Sequence, residues 1–156
     1  MRKTFSNLGF WLISAVYWGL FLIMYLQSGP GKSVWSLILL GVGLVVGNLL
    51  IFGDRKWLKT YYGGQDLMTQ SLLFLLAMAP LGLFVVTSTG SWLGVGIVVG
   101  FEIQTSWLMY KASRDKELFH RQYLVQLKRK LTRQEIGIMV VLQVVVTALL
   151  ILLSLV

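Results

Sequence analysis

The 156-residue chain has no cysteine, a single histidine, two prolines and 13% charged residues. The absence of cysteine excludes a disulfide scaffold, a thiolate zinc site, iron–sulfur ligation and a thiol nucleophile. One histidine, His120, rules out bis-histidine haem and leaves most histidine-based metal sites short of ligands, so no metal and no cofactor is expected. A soluble domain would carry about twice this share of charge. Apolar residues take its place, at 56% of the chain and a mean hydropathy of +0.76. They fall into runs of about 20, the length of helix that crosses a bilayer. The expected fold is an all-α integral membrane protein, with residues 1–156 forming a single transmembrane domain.

Five stretches reach spanning length: Leu8–Gln27, Ser33–Gly53, Thr69–Ser88, Ser91–Tyr110 and Ile136–Val156. Arg2 and Lys3 precede the first, as in a signal peptide. That apolar run is too long for an h-region, and YLQSGPG offers no small-x-small cleavage site, so a retained helix is expected. Charge sets the direction. With the N-terminus in the cytoplasm, 13 of the 14 basic residues lie inside and only Lys32 lies outside. The positive-inside rule therefore predicts a multi-pass protein of the plasma (inner) membrane, N-terminus cytoplasmic and C-terminus outside. Trp35 and Trp92 open the second and fourth helices at the outer interface. Trp57, Tyr61, Trp107 and Tyr110 fall near the inner one, where amphipathic rings favour the headgroups.

LGVGLVVG at Leu40–Gly47 recurs as LGVGIVVG at Leu93–Gly100, with seven of eight positions identical at an offset of 53. Both copies run in the same direction and each follows a helix running the other way, the pattern of a parallel duplication of a two-helix hairpin. Gly43 and Gly47, and Gly96 and Gly100, are spaced four apart. Each pair opens a groove for close backbone approach, so the second and fourth helices are expected to pack tightly, against each other or across a homo-oligomer interface. The run is not a dinucleotide fingerprint, because no strand precedes it and its last spacing is one residue too long. Pro80 removes a hydrogen bond from the third helix and marks a kink, a candidate hinge.

Glu102 lies ~2 Å from the midpoint of the fourth span at 1.5 Å per residue. An acid at that depth costs at least ~2.5–3.5 kcal/mol to insert, faces protein or water, and marks functional sites. No Lys, Arg or His lies in any of the five spans to pair with it. Its available partners are neutral: Ser14, Tyr17, Asn48, Thr105, Ser106 and Gln143. Small or polar residues on both faces of this helix leave it little surface suited to lipid, so it is expected at the centre of the bundle. The fifth helix, with one polar stripe of Gln143, Thr147 and Ser154, is expected at the periphery with that stripe turned inward.

Lys111–Glu135 contains neither Pro nor Gly and carries eight bases against three acids. It reads as a largely helical cytoplasmic segment with an apolar stripe of Phe119, Tyr123, Leu127 and Leu131. Its basic surface, Arg121, Lys128, Arg129, Lys130 and Arg133, suits anionic headgroups of the bilayer. Nucleic acid is not expected, because base-stacking aromatics are not interleaved with the charge. Thr132 and Glu135 form a capping box before the last apolar run.

These features suggest a small transporter or channel subunit, homo-oligomeric or bound to a membrane-protein partner. Glu102 would be its proton or cation site, and Tyr17, Asn48, Gln104, Thr105 and Gln143 its polar lining. The alternative is a non-catalytic membrane subunit or assembly factor that docks a partner or the anionic leaflet through the basic segment. An enzyme is not expected, since no nucleophile–base–orienter set and no paired carboxylates are present.

Overall fold

A computed structural model describes residues 8–27, 34–54, 71–124 and 129–155. Among them the chain forms six helices and no strand: α1 Leu8–Gln27, α2 Val34–Gly53, α3 Leu72–Ser88, α4 Trp92–Ala112, α5 Lys116–Tyr123 and α6 Arg133–Leu155. Three of these, α2, α4 and α6, are long and apolar enough to cross a membrane, while Gly9–Ile23 and Leu72–Ser88 are shorter apolar helical stretches. The helix starts are set by local chemistry. Ser71 and Ser91 accept from the N–H groups of Phe74 and Gly94, each at 3.2 Å, where those donors have no intrahelical partner. Thr132 and Glu135 cap α6 reciprocally: the Glu135 N–H donates to Thr132 Oγ1 at 3.3 Å, and the Thr132 N–H to Glu135 Oε2 at 2.7 Å. Between α3 and α4 the tight turn uses Gly90 at φ 59°, the left-handed region open to glycine.

The basic segment, expected to be largely helical, is interrupted among the described residues. The chain leaves α4 at Ala112, restarts at α5, and is non-helical at Leu124 and over 129–132. Asp115 causes the first break, its carboxylate accepting from the N–H groups of Glu117 at 3.0 Å and Leu118 at 3.2 Å. An Asp that caps a new helix competes with continuation of the old one. Phe119 and Tyr123 are buried and Leu131 packs against the same core, whereas Leu127 and Lys128 lie outside the described residues.

α4 contacts every other helix, and fourteen of its 21 residues are buried. Its closest neighbour is α2, and the seam between them is made by the repeated glycines. A methyl placed on Gly43 would meet the Leu93 carbonyl and sit 2.8 Å from Gly96 Cα; one on Gly47 would meet the Ile97 carbonyl and lie 2.7 Å from the Phe101 nitrogen. The converse holds on α4, where Gly96 faces the Leu40 carbonyl and Gly100 the Leu44 carbonyl. Each glycine thus opposes the carbonyl three residues before its counterpart in the other copy. The pairing advances by four residues on both sides, so α2 and α4 run parallel. Backbones this close bring Cα–H groups against carbonyl oxygens, a contact only glycine permits. Of the two seams open to these glycines, within one chain or between copies, the one formed lies within the chain.

α1, α3 and α6 surround the pair in the opposite direction. α1 sets Gly9 against the Trp107 indole and Phe21 against Trp92, with ring centroids 4.9 Å apart. α3 places Gly82 against Val98 and Leu150. It continues as helix through Pro80, which lies on its exposed face, so the candidate hinge lines no described cavity. The bundle has an apolar exterior and buries a set of polar side chains within a largely apolar core. Val16, Leu26, Trp35, Leu73, Val141 and Leu152 are exposed, while Ser14, Asn48, Glu102, Gln104, Thr105, Ser106, Thr147 and Ser154 are buried.

Candidate functional site

Glu102 is the central residue of the 21-residue α4 and is 1% exposed. Its carboxylate accepts a hydrogen bond from the Gln143 side-chain amide on α6, so one of the proposed lining residues meets it directly. Behind this contact the two helices are laced by hydroxyls. Ser106 Oγ and Thr147 Oγ1 are 2.8 Å apart. The Thr147 hydroxyl donates to the Gln143 carbonyl at 3.0 Å and lies 3.4 Å from the Glu102 carbonyl. A consistent chain runs from the Ser106 hydroxyl to Thr147 and on to the Gln143 backbone, while the Gln143 side chain holds the acid. Gln143 and Thr147 reach α4 together because they are one turn apart on α6.

The other candidates are distributed differently. Tyr17 is buried and its hydroxyl lies 2.8 Å from Ser154 Oγ, joining α1 to the far end of α6. Asn48 is buried on α2, one residue beyond the seam glycine Gly47. Gln104 and Thr105 are buried on α4, and Gln104 Oε1, Thr105 Oγ1 and Ser14 Oγ have no hydrogen-bond partner among the described residues. Ser106, Thr147 and Ser154 carry further interhelical bonds. The polar stripe of α6 is the sequence signal for Thr147 and Ser154, but a stripe does not say which helix it meets.

A cleft of about 300 Å³ lies beside this network, lined by residues of α1, α4 and α6. Ile13, Trp107, Tyr110 and Val144 line it together with Ser106 and Thr147, and its surface is almost wholly apolar. Since Ile13, Tyr110 and Val144 are themselves exposed, the cleft belongs to the outer flank of the bundle. The network behind Glu102 and the lining of the cleft therefore share two residues, Ser106 and Thr147.

At the end of the bundle where α4 finishes and α6 begins lie all the basic residues among those described. Lys111 Nζ sits 5.0 Å from the Trp107 ring centroid, and the Arg114 guanidinium 5.4 Å from that of Tyr110. Of the expected basic surface, Arg129 is bound to Glu135 at 2.7 Å, and Arg121, Lys130 and Arg133 are exposed. Among the described residues no group of three or more His, Asp or Glu could hold a metal ion.

The class defined so far is an all-helical chain with three helices of membrane-spanning length and a buried intrahelical acid. Comparison with family models, curated proteins and solved structures yields no match for this chain.

Proposed function

We propose that this chain is a five-span integral membrane protein, N-terminus inside and C-terminus outside, that serves as a transporter or channel subunit with Glu102 as its proton or cation site. The observation that carries the reading is a shared pair of residues: Ser106 and Thr147 belong both to the network beside Glu102 and to the lining of the lateral cleft. A carboxyl buried among apolar helices must be neutral or balanced by a cation, and switching between those states is what a coupling site does. The unpartnered oxygens of Gln104, Thr105 and Ser14 add acceptors to the same bundle core.

The five-span topology draws support from the alternating helix directions and from the exterior of Leu, Val and Ile, which suits lipid better than water. Reciprocal glycine contacts at a constant offset support the parallel duplication. Since that seam is used up inside the chain, a homo-oligomer needs another face.

Proton or cation flux into proteoliposomes containing the purified chain provides the test. Glu102→Gln keeps the shape and the bond to Gln143 but removes the titratable group, so flux falls to background while the variant elutes as the wild type does. Flux equal to wild type in that variant would remove Glu102 from the mechanism. The second reading, a non-catalytic subunit in which Glu102 ties two helices, is favoured by its 1% exposure and its bond to Gln143. Recovery of a stoichiometric membrane partner after gentle extraction, with no flux from the chain alone, would place it first.

A further inference from the structure

At the basic end, α5 and the start of α6 enclose a second cavity, of about 490 Å³. Lys116 and Arg121 reach it from α5 and Lys130 from the segment before α6, giving three positive charges against the one negative charge of Glu117. Among the described residues none of the three cations has an ion pair. The nearby acids are engaged elsewhere, Asp115 in capping α5 and Glu135 in holding Arg129 and Thr132. Three cations around one hollow repel one another, an arrangement that an anion relieves. The rest of the lining is His120 and an apolar wall of Leu124, Leu131 and Ile136, the last where the apolar run of α6 begins.

We propose that this cavity binds the phosphate group of a phosphate-bearing anion, with Arg121 as the forked donor and Lys116 and Lys130 as flanking point charges. Guanidinium matches two phosphate oxygens at once, whereas ammonium groups add charge without fixed geometry. The apolar wall at the mouth of a helix of spanning length suits the headgroup of an anionic phospholipid, and the same charges would take free phosphate. This site stands apart from Glu102, so neither proposal depends on the other.

Native mass spectrometry of the full chain in detergent, titrated with phosphatidylglycerol or phosphatidylcholine, tests it. Phosphatidylglycerol is expected to bind one high-affinity site that phosphatidylcholine does not fill. Neutralising Arg121→Gln and Lys130→Gln together weakens that binding by at least about tenfold. Arg114→Gln removes a charge from the same end of the bundle but not from the cavity, and leaves binding unchanged. Glu117→Gln removes the one opposing charge and tightens binding, a result misfolding cannot imitate. Displacement of the lipid by millimolar inorganic phosphate, with loss of phosphate binding in the double variant, assigns the site to soluble phosphate; resistance to displacement assigns it to the lipid headgroup. Equal binding of the two lipids with no phosphate binding, or equal weakening by Arg114→Gln, overturns the proposal.

Discussion

Glu102 has a defined donor, and removing that donor separates a dry, held carboxyl from one solvated by other means. Gln143→Leu leaves the Glu102 oxygen in an apolar bundle without its amide. A buried polar group stripped of its partner costs about 1–3 kcal/mol, so the unfolding midpoint in detergent should fall accordingly. Tyr17→Phe is the useful contrast. Ser154, the partner it loses, still donates to the Ile151 carbonyl at 2.6 Å, so no buried hydroxyl is stranded. Interhelical hydrogen bonds in membranes average about 0.6 kcal/mol, and the Tyr17 variant should lose no more than that order. Should both variants lose equally little, Glu102 must be satisfied by something other than Gln143.

Among the helices, the α2–α4 seam is where the chain has least room. At Gly43 an added side chain runs into the backbone of α4, at the Leu93 carbonyl and the Gly96 and Ile97 main chain, none of which can turn aside as a side-chain tip could. Gly43→Val is therefore expected to cost about 3 kcal/mol or more, the upper end of overpacking penalties, or to prevent assembly. Gly19, on α1, has nothing within 4 Å of an added methyl, and Gly19→Ala should raise stability by about 0.5–1 kcal/mol through the restricted unfolded chain. Thermal unfolding of the two variants side by side tests the seam itself; a Gly43→Val protein as stable as Gly19→Ala would mean α2 and α4 do not touch as described.

The whole molecule turns an apolar exterior toward its surroundings while enclosing a few polar side chains, and the absence of cysteine makes its topology measurable. Under the proposed orientation, Arg114→Cys, at the exposed basic end, should react with an impermeant thiol reagent only from the cytoplasmic side of sealed vesicles; reaction only from the other side would reverse that orientation. Glu102→Cys tests the path itself. Under the transport reading it labels from one side, more slowly than Arg114→Cys because the position is buried. If it stays unlabelled from both sides while the control reacts, no water path reaches the acid, and the subunit reading gains.

The helices were legible in the sequence because the partition of a 20-residue apolar run is a local property, decided by composition rather than neighbours. The span predicted over Leu8–Gln27 coincides with α1, and those at Thr69–Ser88 and Ile136–Val156 differ from α3 and α6 by three residues at their starts, where Ser71 and Thr132 set the caps. The central place of α4 could be anticipated from its lack of a lipid-suited face. The expected largely helical Lys111–Glu135 segment is interrupted after Ala112, since apolar periodicity persists across a break that the Asp115 carboxylate makes by capping. Which partner each buried polar group finds was decided only in three dimensions. Six neutral side chains could have met Glu102, yet Gln143, 41 residues away, is the one whose side chain reaches the carboxyl, while Tyr17 is taken by Ser154. Likewise, the glycines alone allowed a seam within the chain or between copies. Composition determines that a helix enters the apolar phase, but its rotation and choice of neighbour depend on every contact around it at once, and these choices place the acid, the hydroxyls and the cleft together.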